Sequence, residues 1–132
     1  MKDYREYFNE VIQTHIDIEQ WFSGTGNREV LTRLLTRFSP QFSMIVPNGN
    51  ALDAPALNQL FDTLGGARPG LRISLSELRG IDQHPGGATV SYRERQSDDR
   101  GVLTDRRATA VIEKGPSGDM LWRHLHETYC QA

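Results

Sequence analysis

The sequence of 132 residues contains a single cysteine, Cys130, so no internal disulfide can form. Its place two residues from the end of the sequence argues against a catalytic thiol. Long apolar runs are also missing. Nothing approaches the ~18 residues of a membrane span, and the opening Met-Lys-Asp-Tyr-Arg-Glu lacks the apolar segment of a secretion signal. A cytoplasmic protein without membrane contact is therefore expected. There is no excess of positive charge: 15 Lys and Arg against 17 Asp and Glu give a net charge of −2, which speaks against nucleic acid as a partner. Internal repeats and low-complexity tracts are absent, and the chain is too short for two ordinary cores, so residues 1–132 are expected to form one domain. The glycine-rich Gly65–Gly70 has neither the spacing nor the strand-before-helix setting of a phosphate loop and reads as a connector.

What is present is strongly patterned. Tyr4, Phe8, Val11, Ile12, His15, Ile16, Ile18 and Phe22 follow the spacing of one helical stripe. Ser23–Gly26 stops this helix, and Asn27 can cap a second, short one carrying Val30, Leu31, Leu34, Leu35 and Phe38. Phe42–Pro47 reads as a first strand. Asp53 can cap a third helix with Pro55 in its first turn, where a missing donor costs nothing, and Gly65-Gly66 end it. Four strand-length runs follow, Leu71–Asp82, Ala88–Ser97, Val102–Glu113 and Met120–Cys130. Three helices with one early strand and then a four-strand meander make an α+β pattern.

The last strand concentrates the unusual chemistry. A period of two places Trp122, His124, His126 and Thr128 on one face and Arg123, Leu125, Glu127 and Tyr129 on the other. An indole beside two imidazoles suits a pocket wall better than a plain core, since buried ring nitrogens need partners. A four-residue loop at Gly115–Gly118 sets Lys114 opposite Asp119 and hence His124 opposite Thr109 and His126 opposite Arg107. A similar loop at Asp98–Gly101 sets Arg107 opposite Tyr92. The expected polar row is Tyr92, Arg107, His126, flanked by Val90, Thr109, His124 and by Glu94, Asp105, Thr128. One residue more or less in either loop would exchange Arg107 for Arg106 on that face.

Glu94, His124 and His126 are then the candidate acid–base residues, weighed against a bland alternative of hydrogen-bonded wall histidines. Tyr92, Arg107, Thr109 and Trp122 are candidate ligand contacts, with Arg107 able to grip a carboxylate or to sit in an internal ion pair. Phe42 and Met44 would complete an apolar floor, and Trp21 with Phe22 the mouth. The two histidines permit metal binding only with a third ligand from Glu94 or Asp105, and no diagnostic motif supports it; no metal and no cofactor are expected.

The long first helix, a short second one ending near Phe38, the strand Phe42–Pro47, a third helix and a meander ending in Trp-x-x-x-His resemble the nuclear transport factor 2-like, or SnoaL-like, superfamily. Tyr92–Gln96, Arg106–Val111 and Trp122–Thr128 look most like its small bacterial members, and also resemble the association domain of calcium/calmodulin-dependent kinases. The resemblance spans nearly the whole chain. It implies a strongly curved mixed sheet wrapped around three helices as a cone, a cystatin-like and ketosteroid isomerase-like fold, with an internal pocket and frequent dimerisation through the sheet. A homodimer is also expected because the face carrying Ala108, Leu125 and Tyr129 would need cover. Three functions are consistent with this: binding of a small, partly apolar molecule; a lyase, isomerase or hydrolase in the same pocket; or a dimeric interaction domain without ligand. Members differ too widely in chemistry for fold to settle which.

Overall fold

The computed structural model describes residues 2–131. Helix α1 runs Arg5–Ser23, α2 Arg28–Thr36 and α3 Ala54–Thr63. Strands are β1 Phe38–Ile45, β2 Ala51–Asp53, β3 Arg72–His84, β4 Gly87–Asp98, β5 Gly101–Lys114 and β6 Met120–Tyr129. The capping residues act as their chemistry predicts. Asn27 accepts from the Glu29 amide at the start of α2, and Asp53 from the Ala56 amide at the start of α3, with Pro55 in the first turn. Gly24 ends α1 in the left-handed region, φ 84°, where a Cβ would be strained.

The six strands form one curved, unclosed sheet in the order β2-β1-β6-β5-β4-β3. Only β1 and β6 pair in parallel; every other neighbouring pair is antiparallel. The helices fill the concave side, so the inward residues of β4 and β5 read Ala88, Val90, Tyr92 and Ala108, Ala110, Ile112, all buried. They meet Tyr7 and Val11 of α1 and Leu34 of α2 in a single core. Where β3 bends around the start of α1, Gly80 lies flat against the ring of Tyr4, leaving no room for a Cβ.

The later strands match their expected ranges to within two residues, while the first strand starts earlier than expected and β2 is additional. The first strand begins at Phe38, because residues 38–41 already run beside β6 through the Phe38–Trp122 pairing. The three-residue β2 is too short to leave a periodic signal.

The larger correction is register. Lys114 pairs with Met120, so the β5–β6 loop is five residues, 115–119, and a bulge between the Ile112–Trp122 and Val111–His124 pairs moves the strand by one more. The β4–β5 hairpin starts with Ser97 opposite Val102 as expected, but a bulge leaves Gln96 opposite Thr104, and Arg107 then pairs with Arg93 instead of Tyr92. The Tyr92–Arg107–His126 row therefore does not form. Trp122 points inward, the bulge at Arg123 turns the strand over, and from there Leu125 and Glu127 are the buried residues while His124, His126 and Thr128 face outward.

Candidate functional site

The concave side holds a cavity of about 300 Å³ between α1, α3 and the β1–β6 half of the sheet. Its walls are apolar: Phe22, Phe38, Phe42, Met44, Leu57 and Phe61 contribute most of the bulk, with Trp122 and Leu125 from β6. Phe38 stacks edge-on against Phe42, 4.9 Å between centroids, and tilts against Trp122 and Phe61. The Trp122 indole is immobilised from behind, its N–H shared between Glu10 Oε2 (3.2 Å) and Thr14 Oγ1 (3.1 Å) on α1.

Against these walls stands one polar region, made by the inward residues that follow the apolar alternation of β4, β5 and β6: Glu94 and Gln96, Arg106, and Glu127. Register explains the grouping, since Glu94 is directly opposite Arg106, and Ala108 lies between Tyr92 and Glu127. His15 completes it from α1. Its Nδ1 is 2.7 Å from the Val11 carbonyl, which can only accept, so Nδ1 carries a proton. Its Nε2 is 3.1 Å from Glu94 Oε1, and Gln96 Nε2 donates to Glu94 Oε2 at 2.6 Å. Both oxygens of Glu94 are thus held.

The charges follow from these contacts. Burial alone would raise the Glu94 pKa, but the His15 charge and hydrogen bond, with the Gln96 hydrogen bond and the Arg106 charge, bring it down to about 2. For His15, burial opposes protonation and the Glu94 carboxylate outweighs it, so its pKa is raised. Below the raised His15 pKa the pair is an imidazolium and a carboxylate. Glu127 differs: burial, then repulsion from Glu94, raises its pKa even though Arg106 donates to Oε1 at 3.0 Å. Arg106 itself stays a guanidinium, since the attraction of Glu127 and Glu94 outweighs its desolvation. Tyr92 lies behind this region, its ring edge-on to His15 at 5.2 Å and its buried hydroxyl without a protein partner among the described residues. Burial first, and the two carboxylates second, hold that hydroxyl well above the usual tyrosine pKa.

The structure separates the residues singled out from sequence. Glu94, Trp122, Phe42 and Met44 line the cavity. Trp21 is buried but does not line it; its indole donates to the Phe61 carbonyl at 2.6 Å and ties α1 to α3. Arg107, Thr109, His124 and His126 are on the convex face, where Arg107 pairs with Glu77 at 3.3 Å and His124 Nδ1 shares a 2.7 Å hydrogen bond with the Ser43 hydroxyl. Ala108 and Leu125, placed on the outer face by the sequence register, are buried inside. Conversely His15, Arg68, Gln96 and Glu127 line the cavity without having been singled out for it, and Arg106, the alternative to Arg107, lines it in that residue's place. Among the described residues no group of three or more His, Cys, Asp or Glu is gathered in a way that could hold a metal ion, and no helix is long and apolar enough to cross a membrane.

No protein-family model matches the chain, and no curated protein matches it. Solved structures do. An NTF2-like protein of unknown function from Pseudomonas aeruginosa is 40% identical, with 95% of this chain and 98% of that chain covered and a TM-score of 0.91. The calcium/calmodulin-dependent kinase II hub homology domain of Chlamydomonas reinhardtii is 17% identical, covering 99% and 100% of the two chains, with a TM-score of 0.74. A ketosteroid isomerase-like protein from Erwinia carotovora atroseptica is 8% identical, covering 94% and 93%, with a TM-score of 0.64. The last two are likenesses of fold.

Proposed function

The chain belongs to the NTF2-like family, and from that premise we propose that it binds a small, largely apolar molecule in the concave cavity. The observation that carries this reading is the cavity itself: about 300 Å³ of space, apolar on its walls, with Glu94, Gln96, Arg106 and Glu127 converging on one side. Preformed cavities of this size with a few convergent polar groups are the common form of a small-molecule site. The space equals about ten water molecules at liquid density, which sets the ligand at roughly ten to fifteen non-hydrogen atoms. Native mass spectrometry of the protein purified from its own source tests the proposal. A noncovalent adduct that disappears in Leu57→Trp, which fills the cavity, is expected. A ligand that survives this substitution in a folded protein would contradict it.

A second reading, acid–base catalysis in the same cavity, is favoured by the opposite pKa shifts of two neighbouring carboxyls, Glu94 lowered and Glu127 raised. Glu127 is then the proton carrier. Glu94, with both oxygens occupied and a low pKa, is a poor base and holds His15 and Gln96 in place. A lyase, isomerase or hydrolase would lose turnover in Glu127→Gln while keeping affinity; loss of affinity with unchanged turnover of bound substrate would reject this reading.

Homodimer formation through the convex sheet belongs to the same proposal. It is supported by the exposure of Arg107, Thr109, His126 and Thr128 on that face and by the likeness to a hub domain. Sedimentation at micromolar concentration should give about twice 14.9 kDa; a monomer throughout that range would overturn it.

A further inference from the structure

The ionisable groups lining the cavity are His15, Glu94, Arg106, Glu127, Arg68 and the phenol of Tyr129. Four of these are mutually engaged: His15 with Glu94 at 3.1 Å, and Arg106 with Glu127 at 3.0 Å. Each of the two cationic side chains there is already in contact with a carboxyl, and an anionic ligand group would be placed beside Glu94 and Glu127. Arg106 has Nη1 on Glu127 and Nη2 on Thr104 Oγ1, and although its buried Nε has no partner among the described residues, an anion there would sit against the Glu127 carboxyl.

Arg68 is different. Its Nη1 donates to the neutral side chain of Gln96 at 2.9 Å, and among the described residues no carboxylate pairs with it. Its position is nevertheless defined. The Arg68 amide donates to the Phe22 carbonyl at 2.9 Å, and the guanidinium lies 5.9 Å from the centre of the Phe22 ring, itself a cavity wall. The residue is exposed to solvent while lining the cavity, which puts an unneutralised, oriented cation at the entrance. Asp98 and Asp99 line a groove on its other flank, but Asp99 is paired with Arg72 at 3.1 Å and Asp98 accepts from the Arg100 amide.

Resting on the proposed cavity site, we propose that its ligand is an amphipathic monocarboxylate. The apolar body lies among Phe38, Phe42, Met44 and Phe61, and the carboxylate lies at the entrance on Arg68. Any polar group at the far end is uncharged, a hydroxyl or carbonyl facing Glu127 and Arg106. The free edge of the guanidinium presents parallel N–H donors that fit a carboxylate. The link from Arg68 through Gln96 to Glu94 and His15 ties this anion to the buried pair by continuous hydrogen bonds.

Isothermal calorimetry with 4-phenylbutanoate and its isosteric amide, 4-phenylbutanamide, tests the assignment. The acid should bind about tenfold tighter than the amide at low salt, with the difference shrinking as ionic strength rises. Arg68→Gln, at an exposed position, should abolish the preference by costing the acid about tenfold more than the amide, while Arg68→Lys should retain only part of it. Equal affinity for the two probes, or equal loss of both in Arg68→Gln, would overturn the carboxylate assignment and leave the cavity as a ligand site. Binding of neither probe to the wild-type protein would count against the cavity as a ligand site, and the assignment would fall with it.

Discussion

The two faces of the sheet carry nearly the same ionisable residue types and use them in opposite ways. On the concave face Glu94, Glu127 and the opposing His15 are buried and Arg106 is half-buried, and they pair around a cavity. The convex face carries Glu77, Arg93, Asp105, Arg107 and the two histidines, half-buried or exposed, with Glu77 bridging Arg93 and Arg107. An ion pair in water contributes ~0–1 kcal/mol, whereas removing one member of a buried pair strands a charge at several times that cost. Identical chemistry therefore matters for stability and pH response on one side and little on the other.

The largest expected difference comes from Trp122, whose indole is 1% exposed and doubly hydrogen-bonded. Trp122→Ala should lower unfolding free energy in denaturant titration by about 3–5 kcal/mol, while His124→Ala, two residues on but facing outward, should lose less than about 1 kcal/mol. Similar losses at both positions would mean that the bulge at Arg123 is absent. Arg106→Met should cost about 3 kcal/mol, because Glu127 is left buried without its donor. Arg107→Met on the outer face should change stability by less than about 0.5 kcal/mol in the same titration.

The pH response sharpens the contrast further. His15 has a raised folded pKa, so its contribution is complete below the ordinary histidine value of ~6.5 and is lost as pH rises through the folded pKa. Glu94 has a lowered folded pKa, so its contribution is present above the ordinary glutamate value and is lost as pH falls toward about 2. Glu127, with a raised pKa, works against Glu94: its penalty grows as pH rises above the unfolded glutamate value. Melting temperature should therefore decline on the alkaline side of the histidine range, and His15→Gln should remove that decline. An alkaline decline that persists in His15→Gln would place its origin elsewhere.

How much of this was legible before the fold was known depends on which signal was local. Caps, breakers and the order of elements are written in short stretches, as at Asn27, Asp53 and Gly24, and the architecture follows from them. Facing was harder, because two bulges and one extra loop residue, none with a distinctive sequence mark, each shift the pairing by one. A usable signal did exist. Ala108-x-Ala110-x-Ile112 and Ala88-x-Val90-x-Tyr92 are apolar alternations that place Arg106, Glu94 and Gln96 inward and Arg107 outward, independent of any loop length. The sequence register placed Arg107 beside Tyr92 instead, on assumed loop lengths. Glu127 was hidden because the bulge breaks the parity that begins at Trp122. His15 stood within the apolar stripe of α1, and a titratable residue four positions after Val11 on a buried stripe is a mark that points inward. Arg68 sits in a connector whose path no local pattern describes.

The central claim is that ligand chemistry belongs to the concave face. The most direct test is an NMR titration with 4-phenylbutanoate that follows the Met44 methyl inside the cavity and the ring Cε1–H signals of His124 and His126 outside it. The account predicts a saturable shift of the Met44 methyl with both histidine signals unmoved. Saturable shifts of the His124 and His126 signals, with the Met44 methyl unmoved, would contradict it and return the binding site to the convex face.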